Sequence, residues 1–163
     1  MKGMQIVGVR LLLIIQIFIL ASTAHAEDHV GPNLTPRLKE LVCEEMRQIS
    51  TAMGVIWTGM VQGDHKTVAE QGILVHNSFI MKRSLTKADK KDLMAAVPPA
   101  FLKLDGKFHK LAKKLADAAT AHDSELERYY FNRMTETCIT CHTAYATNRF
   151  PGFGVRQLDN NHH

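Results

Sequence analysis

From Val42 onward, apolar side chains return every fourth and then every third residue: Val42, Met46, Ile49, Met53, Ile56 and Met60. That rhythm lines one face of an α-helix, and a strand cannot use it, because strand side chains alternate with period two. Thr35 before Pro36 offers an N-cap and a preset first turn. Gly63-Asp64 closes the helix and starts the next one. A helix from Pro36 to Gln62 is about 40 Å long. Within a chain of 163 residues, such an element buries its stripe only against other long helices. The expected fold is all-α: an antiparallel up-down-up-down four-helix bundle.

The remaining sequence supplies the partners. A second helix is expected from about His65 to Ile80, with Val68, Gly72, Val75 and Phe79 on its inner face. Glycine is unfavourable in a helix interior, so Gly72 marks a close helix contact. The polar connection Lys82 to Val97 holds a short helix after Thr86, with Asp89 as its capping partner. Pro98-Pro99 opens a third helix, striped by Phe101, Leu104, Phe108, Leu111, Leu115 and Ala118. A fourth starts near Ser124, where Ser124 and Glu127 read as a capping box. Leu126, Tyr130, Met134, Cys138, Cys141 and Tyr145 run down its side, and Phe150-Pro151-Gly152 ends it.

The N-terminus reads differently. Lys2 and Arg10 precede an apolar run, Leu11 to Leu20, and Ala24-His25-Ala26 follows. A positive region, an apolar core and an A-x-A site make a secretory signal peptide, cleaved after Ala26. The apolar run is shorter than the roughly 20 residues a membrane span needs. Residues 1–26 are therefore the leader, 27–153 the bundle domain and 154–163 a loose tail, with no membrane span after processing. Processing lowers the formal charge from +4 to +2, too weak a bias to suggest nucleic acid. Export points to the periplasm, where paired cysteines ordinarily form disulfides. This chain has three cysteines.

Two of them lie in Cys138-Ile139-Thr140-Cys141-His142, a C-x-x-C-H. This is the attachment pattern of haem c. Two thiols one helical turn apart add across the two vinyl groups, and the adjacent imidazole is placed to bind the iron. Cys138 and Cys141 are thus the covalent attachment points and His142 the proximal axial ligand. Two other readings of these residues stand beside it. A structural zinc site needs four ligands, and Cys43 could supply the fourth. A thiol-disulfide pair would more usually start a helix after a strand.

The whole layout resembles the cytochrome c′ and cytochrome c-556 family of class II c-type cytochromes. The resemblance runs from about Leu38 to Tyr145. It rests on Gly59-Met60-Val61-Gln62-Gly63-Asp64, on Phe108-His109-Lys110-Leu111-Ala112 with Leu115-Ala116-Asp117-Ala118-Ala119, and on the C-x-x-C-H with Tyr145 after it. Where the c′ group usually carries Arg or Lys four residues after the ligating His, this chain has Ala146, and Arg149 follows a turn later.

The resemblance implies an exported electron carrier, not an enzyme, that exchanges single electrons with redox partner proteins. It implies a Met on the first helix at the sixth iron position in c-556-like members, and its placement selects Met46 over Met53. In c′-like members that position is open, and the iron takes NO or CO. The group also pairs through its first two helices, which implies a homodimer. From another class, a haemless exported helical binding module would share the helical pattern. His76 and His109 lie inside helices and are expected to pack rather than bind iron. Cys43 is expected to be a buried apolar thiol, with an intermolecular disulfide as its alternative.

Overall fold

A computed structural model describes residues 29–153; the expected leader and tail lie outside these residues. All regular structure among them is helical. A single turn, α1 (Val30–Asn33), precedes the long α2 (Pro36–Gln62). Then come α3 (His65–His76), the short α4 (Met81–Ser84), α5 (Lys87–Ala96), α6 (Pro99–Thr120) and α7 (Ser124–Tyr145). A 3-10 turn, Pro151–Phe153, follows. No helix among the described residues is long and apolar enough to cross a membrane.

The helix ends follow the local chemistry. Thr35 accepts from the Leu38 amide at 3.2 Å, and Gly63 adopts φ 71° to end α2. Asp64 caps α3 through the Thr67 amide at 3.0 Å. Thr86 and Asp89 form a full capping box on α5, and Arg37 reaches Asp89 from α2 at 3.2 Å. The cap of α7 differs from expectation. His122 takes φ 56°, which sets Asp123 rather than Ser124 at the N-cap, accepting from Glu125 and Leu126. Glu127 is free of capping duty. It is buried instead and accepts from Nδ1 of His65 at 2.5 Å.

α3 packs against α2 and α6, and α6 packs against α7, whereas α2 and α7 barely touch. α3 and α6 approach closely at Gly72, as its position in the sequence predicts. A β-carbon there would lie 3.0 Å from both the Ala112 carbonyl oxygen and the Ala116 Cβ. A side chain there would push the α6 backbone away by a few tenths of an ångström, and glycine lets α3 and α6 come this near.

The buried stripe of α2 is not the expected one. Leu38, Glu45, Ile49, Ala52, Ile56 and Gly59 face inward, while Val42, Met53 and Met60 are half-buried. Met46 is 41% exposed, so its expected inward position is corrected. Glu45 causes the shift. It is only 2% exposed. Its carboxylate accepts from the Ser78 hydroxyl at 2.7 Å and from the Phe79, Ile80 and Met81 amides at 3.1, 2.5 and 3.2 Å. These are the amides at the start of α4, and their capture also ends α3 at His76 instead of Ile80. Ser78 turns the chain there with φ 59°.

The apolar core falls into two clusters. One joins Ile49 and Ile56 of α2 to Val75 of α3, Phe108 and Leu115 of α6 and Met134 of α7, with Cys138 at its border. The other joins Leu38 and Val42 to Val97, Phe101, Leu102 and Tyr145. The break therefore falls between Val42 and Ile49 on α2, between Leu102 and Phe108 on α6, and between Cys138 and Tyr145 on α7. Glu45→Ala should leave one hydroxyl and three amides without their acceptor. A loss of about 3 kcal/mol is expected, read from the urea midpoint of the purified protein.

Candidate functional site

Within that break, α7 places Cys138, Cys141 and His142 on one turn, and all three are half-buried. Burial raises the Cys138 thiol above the usual range. It pushes Cys141 up to about 11, helped by the nearby carboxylate of Asp105 and by Cys138 itself. A thiol used for disulfide exchange needs the opposite shift. Neither thiol is in a disulfide.

His142 stacks on Phe150, with ring centroids 4.5 Å apart and 19° between planes. The chain reverses after α7 and brings Phe150 back under the imidazole. Burial lowers the His142 pKa, favouring the neutral ring. Neither ring nitrogen is hydrogen-bonded among the described residues. A neutral, half-buried imidazole held by stacking, with its nitrogens unengaged, is suited to bind a metal.

The other sequence candidates are scattered. Met46 lies on α2 at the level of the same break, on the flank turned away from Gly59 and its contacts on α3. Met53 packs against the first core cluster. Cys43 is exposed, which corrects its expected burial. Among the described residues no three of His, Cys, Asp and Glu come together to hold a bare metal ion, so the zinc arrangement with Cys43 is not formed. His76 donates from Nδ1 to the His109 carbonyl at 3.0 Å, a packing role as expected.

Asp105 and His109 were not singled out as functional by the sequence. His109 is buried, and its Nδ1 donates to the Val75 carbonyl at 2.6 Å. Its Nε2 lies 3.5 Å from Asp105. Burial alone would lower the His109 pKa, but Asp105, the Val75 carbonyl and Glu45 outweigh it and raise it. Asp105 and His109 thus form a polar pair on α6; Asp105 also acts on Cys141, and Glu45 of α2 adds to the field at His109. The four-residue spacing of Asp105 and His109 was the signal in the sequence.

The residues fit a haem better than a bare ion. Two thiols one turn apart and an unengaged imidazole beside them match the donors of haem c, and the two apolar clusters flank them, one at Cys138 and one at Tyr145. Comparison with family models, curated proteins and solved structures finds no match to this chain.

A haem-free preparation tests the thiol environment. Only thiolate alkylates, and at pH 7 a thiol with pKa near 11 is ionised in about one molecule in ten thousand. Cys138 and Cys141 should therefore react with iodoacetamide far more slowly than exposed Cys43, and Cys141 should speed up as pH rises toward 11. Peptide mass mapping over a pH series reads both.

Proposed function

We propose that the protein is an exported c-type cytochrome. In this reading α2, α3, α6 and α7 make an up-down-up-down four-helix bundle around one haem c bonded to Cys138 and Cys141. His142 is the proximal iron ligand. The observation that carries it is the set of two half-buried thiols and an unengaged imidazole on one turn of α7, at the break in the core. The raised thiols weigh against disulfide exchange, the chief rival use of a C-x-x-C.

Bound haem c would supply a one-electron ferric–ferrous couple. The chain's own residues do the rest. Cys138 and Cys141 anchor the group. Phe150 orients His142, and burial keeps its imidazole neutral. The two apolar clusters exclude water. Met46 offers a thioether on the neighbouring α2, and Met ligation raises the potential. The function is then c-556-like electron transfer with redox partner proteins in the periplasm, after cleavage at Ala26, by a chain that is not an enzyme. A homodimer through α2 and α3 belongs to the same reading.

One observation favours a second reading. Met46 is 41% exposed rather than tucked inward. If it stays so, the sixth position is open, and the protein is c′-like and takes NO or CO.

Haem should stay with the polypeptide through acid and organic solvent, and Cys138→Ala with Cys141→Ala should abolish it. Haem that extracts freely from the wild type defeats the proposal, and a chain that never acquires haem leaves the binding-module reading. The wild type should be low-spin, with the weak ferric red-edge band of sulfur ligation. Met46→Ala should turn it high-spin, lower its potential and open it to CO. Met53→Ala should leave the spectrum alone and cost about 2 kcal/mol, the low end for a core truncation because Met53 is only half-buried. A wild type that is already high-spin and binds CO establishes the c′-like alternative instead.

A further inference from the structure

Charge is unevenly spread along the chain. Residues 82–114 hold ten Lys and Arg against three Asp, a net of +7. The rest of residues 29–153 hold seven Lys and Arg against ten Asp and Glu, a net of −3. The basic segment comprises most of α4, all of α5 and most of α6. Its Leu85, Leu93, Val97 and Phe101 enter the second core cluster with Leu38 and Tyr145. Phe101 meets Tyr145 edge-on at 5.4 Å, three residues beyond His142. The basic segment therefore covers the end of the molecule that carries the C-x-x-C-H.

On α6, Lys103, Lys107, Lys110 and Lys114 recur at steps of four, three and four, and all are exposed. That spacing sets them on one face, opposite buried Ala112 and Ala116. Lys114 lies 5.7 Å from the Tyr130 ring centre. No ion pair engages Lys103, Lys107 or Lys110 among the described residues, since Asp105 turns to His109 and Asp117 to Lys113. Like charges at this spacing repel, and nothing on the helix neutralises them. The face holds a standing positive potential.

Its composition selects among anions. α6 contains no Arg, and none of its large apolar side chains is exposed. A helix that lies on a membrane inserts apolar side chains beside its cations, and this face has none to insert. Nucleic-acid surfaces use Arg forks or exposed stacking rings; α6 has no Arg, and the ring beside Lys114, Tyr130, is half-buried. Lysine heads are hydrated point charges that steer an acidic protein surface into a loose, short-lived complex.

We infer that the lysine face of α6 docks an acidic face of a partner protein that exchanges electrons with this one. The redox nature of the partner rests on the cytochrome reading. One electron crosses the contact: ferrous iron becomes ferric as a one-electron centre in the partner is reduced, and no atom is transferred.

The test compares two triple variants of equal charge change. One is Lys103→Glu with Lys107→Glu and Lys110→Glu. The other is Lys39→Glu with Lys66→Glu and Arg128→Glu, all exposed and away from the face. Labelled poly-L-glutamate serves as the acidic probe at low salt, beside vesicles containing phosphatidylglycerol and a short DNA duplex. The α6 triple should weaken polyglutamate binding about tenfold, and the control triple about threefold or less. Equal losses in both triples, or tighter binding to vesicles or DNA than to polyglutamate, overturn the inference. In the ferrous holoprotein, hexacyanoferrate(III) takes one electron and becomes hexacyanoferrate(II). That oxidation should slow about tenfold in the α6 triple. An unchanged rate overturns the redox role. A chain without haem has nothing to oxidise and defeats the cytochrome reading, while the polyglutamate comparison still decides the surface.

Discussion

A carboxylate buried without a cation beside it is costly unless other donors surround it. Glu45 meets that condition through one hydroxyl and three consecutive amides, and much of the surrounding geometry follows. Capturing the Phe79–Met81 amides stops α3 and starts α4. It ties the α3–α4 connection to α2. It also fixes the rotation of α2, because a buried position 45 turns position 46 onto the flank. The exposure of Met46 is thus a consequence of a contact made thirty-odd residues further along the chain.

The second organising constraint is the close approach of α3 and α6 at Gly72. These two helices form the compact side of the molecule, with α2 and α7 attached to either edge. Since α2 and α7 barely touch, the site lies on the less tightly closed side. The C-x-x-C-H sits there, between two apolar clusters that do not merge. Half-buried thiols, a stacked imidazole and the His109–Asp105 pair share this region. A prosthetic group inserted here would meet apolar walls and a few fixed charges, the features by which a protein tunes a redox couple.

Charge and burial are separated in a useful way. Of the buried carboxylates, Glu45 is held by a hydroxyl and amides, Glu127 by histidine, and Asp89 by Thr86 and Arg37. The unpaired cations lie outside, on the segment that encloses the site end. A surface arranged so affects encounter more than stability, because exposed charges in water contribute little to folding.

Much of this was legible in the sequence. The all-helical class, the bounds of α2, the Thr35 and Gly63 caps, the Thr86–Asp89 box and the close contact at Gly72 all rest on local rules. Backbone sterics, capping groups within three residues and the 3.6-residue repeat determine them without reference to the rest of the chain. The C-x-x-C-H likewise places two thiols and an imidazole on one turn wherever its helix goes. Three features were decided only by tertiary structure: the phase of the α2 stripe, the early end of α3, and the release of Glu127 from the cap of α7 to His65. Each turns on a buried carboxylate finding donors on another element. A sequence read locally treats Glu as a surface residue, because the energy that buries it comes from partners 33 to 62 positions away. Hydrophobic periodicity sets which helices form, but long-range hydrogen bonding sets how they are rotated.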